Sequence, residues 1–141
     1  MKQITYLLLL LLFSCTGFSQ TDSKQNTDDG KQSPKMYVYF FHGTHRCTGC
    51  INAEKATVTV LNSLYKTELA NGTIVFESVN IEEEKNKALA EKYEVAWNLL
   101  LFVKNDGSGT KKELTQQAFA YGSDPDGLKP VVKATVDDML K

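Results

Sequence analysis

From Met36 to Phe41 the chain is an almost unbroken apolar run rich in aromatic and β-branched residues, closed by Gly43. That continuity predicts a strand buried on both faces, as at the centre of a parallel sheet. Between Cys50 and Ala70, Val58, Leu61, Leu64, Tyr65 and Leu69 recur at spacings of three and four. This period predicts one helix, although Thr57-Val58-Thr59-Val60 alone reads as a strand. Asn71-Gly72 supplies its stop. Thr73 to Ile81 alternates as a second strand. Glu82-Glu83-Glu84 then suits the first turn of a helix, where the dipole favours acids; that helix carries Ala88, Leu89 and Tyr93. Leu99 to Val103 reads as a third buried strand, ended by the turn cluster Asn105-Asp106-Gly107-Ser108-Gly109. A polar strand returns over Lys112 to Tyr121. The last helix is the clearest: Leu128, Val131, Val132, Thr135, Val136, Met139 and Leu140 follow one helical face. Pro125 and Pro130 are tolerable only near its start.

The order of elements predicts an α/β fold: a central mixed sheet of about four strands with helices on both faces. Two β-α-β units imply parallel pairing through right-handed crossovers, and the late hairpin adds an antiparallel edge.

The pattern before residue 36 is of another kind. Lys2 is a short positive region, Leu7 to Phe13 is apolar, and small residues follow. The run is shorter than the roughly 20 residues that span a bilayer, so residues 1–19 read as an export signal. Two ends stay open. A cut after Gly17-Phe18-Ser19 gives a soluble product, whereas Leu12-Phe13-Ser14-Cys15 resembles a lipoprotein box that would tether the protein to a membrane through a lipidated Cys15. Residues 20–35 lack large apolar side chains and read as a flexible linker. The domain proper is then 36–141, in a periplasmic setting, soluble or lipid-anchored.

Composition changes little in this picture. With 42% hydrophobic residues and a formal charge of −1, the 141-residue chain suits one globular domain, and nothing in this balance suggests a nucleic-acid partner.

The chemistry concentrates in His42-Gly43-Thr44-His45-Arg46-Cys47-Thr48-Gly49-Cys50. A CxxC that follows a strand and opens a helix is suited to thiol–disulfide exchange. At the helix N-terminus Cys47 would be exposed and Cys50 further inside. Helix amides, Arg46 and a protonated His45 would stabilise a Cys47 thiolate, making Cys47 the attacking nucleophile and Cys50 the resolving thiol. A purely structural disulfide is the bland alternative, but so small a loop is a weak staple. The donors His42, His45, Cys47 and Cys50 also form an inventory that zinc or copper could use, although their spacing matches no standard finger. No other cofactor is implied. His42 alone reads more simply as a loop residue bonded to backbone; Glu54, one turn after Cys50, could accept a proton from it but reads more simply as a solvated helix residue.

These residues support a resemblance. Element order, the CxxC after the first strand, and Tyr93-Glu94-Val95 through Leu99-Leu100-Leu101-Phe102 to Asn105-Asp106-Gly107 resemble the thioredoxin-like fold over residues 36–141. The stretch from Tyr39 to Cys50 is similar to that of small exported bacterial proteins of a nitrophenyl-compound nitroreductase subunit family. The resemblance implies exchange with a protein thiol or disulfide partner, or a non-catalytic role as an accessory subunit of a reductase system. Three positions depart from the thioredoxin pattern. The cis-proline position falls at Trp97 or Asn98, the buried acid of the first strand aligns near Phe41, and Arg46 stands where a tryptophan precedes the first cysteine. Trp97 would line a groove over the disulfide or pack at the strand entrance.

Overall fold

The computed structural model describes residues 33–141. The export signal, Cys15 and residues 20–32 of the linker lie outside the described residues. Four strands form one sheet in the order β2-β1-β3-β4: β1 Met36–His42, β2 Ile74–Asn80, β3 Leu99–Lys104 and β4 Lys111–Glu113. Five helices accompany it: α1 Thr48–Leu64, α2 Lys66–Ala70, α3 Lys87–Lys92, α4 Thr115–Ala120 and α5 Pro125–Met139. The chain is therefore α/β with a mixed sheet.

The central position of β1 explains its apolar continuity. It pairs in parallel with β2, Met36 opposite Ile74, and antiparallel with β3, Phe41 opposite Leu99. Successive side chains on a strand face opposite ways. Met36, Val38 and Phe40 enter one core with Leu100, Phe102 and the buried faces of α1 and α5. Tyr39 and Phe41 enter a second core with Leu101 and Val103, against which Leu89 of α3 and Tyr93 pack. Both faces of the sheet are thus covered, as the pattern predicts.

Four expectations are corrected. First, only β1 and β2 pair in parallel. The chain between β2 and β3 does not return β3 in the direction of β2, so the second β-α-β unit closes antiparallel to β1. Second, the returning strand is only three residues long, and residues 115–120 are helical. Leu114 and Ala118 are both buried, and the Ala118 amide bonds the Leu114 carbonyl. That i, i+4 pair outweighs the polar alternation around it. The strand that remains, Lys111-Lys112-Glu113, is a charged edge of the kind that resists pairing with another sheet.

Third, the long helix breaks at Tyr65, whose backbone leaves the helical region (φ −132°, ψ 35°). The break lets its buried phenol donate to Asp137 Oδ1 at 2.7 Å on α5. The buried stripe of α1 also differs from the expected one: it is Cys50, Ala53, Ala56, Thr57, Val60 and Leu61, with Val58 only half-buried. Small alanines let neighbouring backbone come close. At Gly122 a Cβ would stand 3.2 Å from the Ala53 nitrogen. Fourth, the acidic run precedes α3 across a 3₁₀ turn at Glu84–Asn86 instead of forming its first turn.

The final helix follows its predicted face. Leu128, Val132, Thr135, Val136 and Met139 are buried, Asp124 caps the Gly127 amide, and Pro125 takes the first turn. There the missing amide costs no hydrogen bond.

The Tyr65–Asp137 contact ties α1 to α5 and should be pH-dependent. Lys133 first, and then the Tyr65 hydroxyl, hold the Asp137 carboxyl below its ordinary range. Burial first, and then Asp137, push the Tyr65 phenol above its ordinary value of 10.0. A lowered carboxyl stabilises the fold above its unfolded pKa and loses that contribution as pH falls through the carboxylate range. A raised phenol contributes fully below its ordinary value and loses that contribution as pH climbs past it. Tyr65→Phe should therefore lower the thermal unfolding midpoint by a few degrees at pH 7. The gap from the parent should shrink in acid, which a series of melting curves from pH 7 to pH 3 would read.

Candidate redox site

Where β1 ends, the chain turns into α1 through His42 to Arg46, and that loop is anchored at several points. His42 Nδ1 donates to the Gly43 carbonyl at 2.8 Å, and its Nε2 meets Ser78 Oγ at 3.1 Å. Asn80 Nδ2 donates to Thr44 Oγ1 at 3.0 Å. Hydrogen bonds from the Thr44 hydroxyl and amide hold the Glu82 carboxyl below its ordinary range. Together these contacts fix the approach to the cysteines from β1 and from the end of β2.

Cys47 is the N-cap of α1 and Cys50 lies in its first turn. They form a disulfide with a Cα–Cα separation of 5.2 Å. Cys47 Sγ accepts a hydrogen bond from the Cys50 amide at 3.1 Å, so the sulfur takes the place that a Ser or Asp oxygen usually fills. The first turn of this 17-residue helix holds no acidic residue. Nothing there opposes the partial positive charge that the helix end offers a thiolate. Exposure divides the pair: Cys47 is open to solvent, whereas Cys50 is 4% exposed.

Arg46 stands differently from the free cation that its position suggests. Its Nη2 pairs with Glu54 Oε2 and also donates to the Cys50 carbonyl at 3.4 Å. Its guanidinium carbon lies 5.9 Å from the centre of the Phe40 ring. Glu54 is therefore a partly buried counter-ion and not a solvated helix residue. Its carboxylate offsets much of the field that Arg46 would cast on Cys47. Removing that counter-charge with Glu54→Gln should raise the rate at which iodoacetamide alkylates reduced Cys47 below pH 8 by severalfold. Stopped-time alkylation across pH would check this; an unchanged rate would mean that the pair does not influence the thiol.

The other positions divide. Phe41 is fully buried and packs by Tyr93, ring centres 6.2 Å apart, so the place of a buried acid is filled by an apolar side chain. Trp97 is 79% exposed and is not packed at the strand entrance. Its neighbour Asn98 is the residue that reaches the cysteines: its Nδ2 lies 3.6 Å from Cys50 Sγ. No peptide bond among the described residues is cis. The sequence marked this position as one of two candidates but carried no signal for a contact to sulfur.

His45 is exposed, and His42 is engaged with Gly43 and Ser78. Among the described residues no group of three or more His, Cys, Asp or Glu is gathered so as to hold a metal ion. In this disulfide form the four donors do not make a common site.

No protein-family model matches the chain, and no curated protein matches it. One solved structure, described as "Structure of a malarial protein", is similar at 20% identity with a TM-score of 0.40, covering 57% of this chain and 81% of its own.

Proposed function

We propose that this chain is an exported protein of thioredoxin-like fold that exchanges electrons between the Cys47–Cys50 pair and cysteines of another protein. The single observation that carries this reading is the asymmetry of the pair at a helix N-terminus, one cysteine exposed and the other buried. The sheet order β2-β1-β3-β4, with the CxxC after the central strand, supports the thioredoxin-like part of the reading.

In the oxidised protein, a thiolate of the partner attacks Cys47 Sγ. The Cys47–Cys50 bond breaks, and its electron pair leaves on Cys50. A second partner thiolate then attacks the partner sulfur of the mixed disulfide, and Cys47 departs as the thiolate that the helix end stabilises. The partner is oxidised by two electrons and this protein is reduced by two; both thiolates draw protons from water according to pH. The reverse sequence reduces a partner disulfide. Because stabilising the Cys47 thiolate favours the reduced state, the pair should be oxidising relative to one with neutral surroundings.

A protein partner suits the surface around the sulfurs. Ile51 follows Cys50, Trp97 precedes Asn98, and Phe119 lies beside Gly49, where a Cβ would meet Cys47 Sγ at 3.8 Å and the Phe119 ring at 3.9 Å. All three large apolar side chains are more than a third exposed.

The test is transfer itself. Reduced protein mixed with a disulfide-containing protein substrate should lose both thiols as the substrate gains two, read by mass-tagging alkylation. Cys47→Ser should abolish transfer. A double Cys47→Ser/Cys50→Ser variant that kept full function in cells would overturn the exchange reading in favour of an accessory, docking role.

A further inference from the structure

We propose that Asn98 is a catalytic hydrogen-bond donor to Cys50, stabilising the charge that gathers on this sulfur when the disulfide opens; the inference rests on the exchange reading above. When an external thiolate attacks Cys47 Sγ, the new S–S bond forms at Cys47 and the old bond's electron pair moves onto Cys50 Sγ. Cys50 is 4% exposed, so water can solvate the developing thiolate only poorly. A buried anion of this kind needs a donor or a proton source.

The surroundings leave few candidates. From β1, Phe41 is a hydrocarbon ring in the second core and supplies neither. From α1, the nearest carboxylate on the helix, Glu54, is held by Arg46 and would repel the charge. Arg46 spends its Nη2 on that carboxylate and on the Cys50 carbonyl, and its Nε, though buried, makes no hydrogen bond to either sulfur. The Cys50 amide is given to Cys47 Sγ. The segment entering β3 brings a side-chain donor, Asn98 Nδ2, to 3.6 Å from Cys50 Sγ, within hydrogen-bond range for sulfur. An amide donates without titrating, so it can serve this sulfur at any working pH. Hydrogen bonds to a charged acceptor are stronger than those to a neutral one, so the contact strengthens as the bond breaks. A more stable leaving thiolate leaves faster.

Asn98 is held where it must act. Leu99 pairs with Phe41 and the Leu100 amide donates to Thr115 Oγ1 at 3.0 Å, which fixes the start of β3 immediately after it.

The experiment measures two rates on the purified protein. The first is reduction of the Cys47–Cys50 disulfide by dithiothreitol. The second is iodoacetamide alkylation of Cys47 in a Cys50→Ser background, in which Cys50 cannot act as a leaving group. Asn98→Ala should slow the first by on the order of threefold to tenfold and leave the second unchanged. Asn98→Asp, nearly isosteric but acceptor-only and anionic, should slow reduction further. Asn98→Gln, which restores an amide donor, should recover part of the rate. Equal slowing of both rates would mean that the substitution distorts the loop, and a reduction rate unchanged in both Asn98→Ala and Asn98→Asp would mean that the contact is idle; either result overturns the proposal. Failure of the parent protein to oxidise a partner while these rates behave as expected would instead count against the exchange reading alone.

Discussion

Under the proposed exchange, Cys50→Ser should turn turnover into trapping. The exposed Cys47 keeps its place at the N-cap of α1 and keeps the helix end that stabilises its thiolate. It can still attack a partner disulfide. The mixed disulfide then has no resolving thiol, because the residue that would attack it lies three positions on, buried in the first turn, and now carries a hydroxyl. Turnover should fall by about three orders of magnitude or more, the usual scale for losing a member of a reacting pair. Covalent adducts should accumulate that run at the combined mass on non-reducing gels and collapse when dithiothreitol is added. Cys47→Ser should lose turnover equally and form no adducts, because Cys50 is only 4% exposed. If both variants trapped partners alike, the assignment of Cys47 as nucleophile would be wrong.

The largest stability loss should come from Phe40→Ala. Phe40 is fully buried at the middle of the central strand, opposite Ser78 on one side and Leu100 on the other. It belongs to the core beneath α1 and α5, and the Arg46 guanidinium lies over its ring. Removing a buried phenyl costs about 3–5 kcal/mol in lost transfer energy and residual cavity. A domain of this size has about 5–15 kcal/mol in total, so much of the margin goes. The damage should also reach the chemistry. Without the ring beneath it, Arg46 loses one of the contacts that fix the residue next to Cys47. Chemical denaturation should show the midpoint falling steeply while the slope with denaturant stays constant. A loss below about 1 kcal/mol would mean that the core around β1 repacks freely, contrary to its dense burial.

Much of this organisation can be read from the chain, and what cannot has definable causes. The continuous apolar run of β1 and the single helical face of α5 are strong local patterns. Each is produced by one environment acting on every residue, so pattern and structure agree. The direction of β3 is different. Leu99 to Val103 carries the same alternation whether it runs parallel or antiparallel to β1, and only the path of the preceding segment decides. The helix of residues 115–120 leaves no clear pattern, because a single buried pair, Leu114 and Ala118, outweighs several exposed polar residues. Ala53 and Ala56 are buried but too small to stand out in a hydrophobic pattern, yet small size is what lets α1 approach its neighbours.

The site divides in the same way. The CxxC, its position after a strand and its place at a helix start were legible from spacing. The partners that tune it were not. Arg46 meets Glu54 eight residues on and Asn98 meets Cys50 from 48 residues away, and no sequence period encodes such contacts. In the sequence alone Arg46 is a free positive charge. Its salt bridge turns it into a structural clamp, which leaves the helix end as the main source of stabilisation for a Cys47 thiolate.

The central claim is that Cys47 and Cys50 are a reversible redox pair. Its most direct test is equilibration of the protein in a series of glutathione buffers, followed by acid quench and mass-tagging alkylation. A reversible pair should show a single two-electron transition between a doubly tagged and an untagged form, with Cys47 tagged first when reagent is limiting. A pair that stayed oxidised across the whole series, or thiols that never joined, would contradict it.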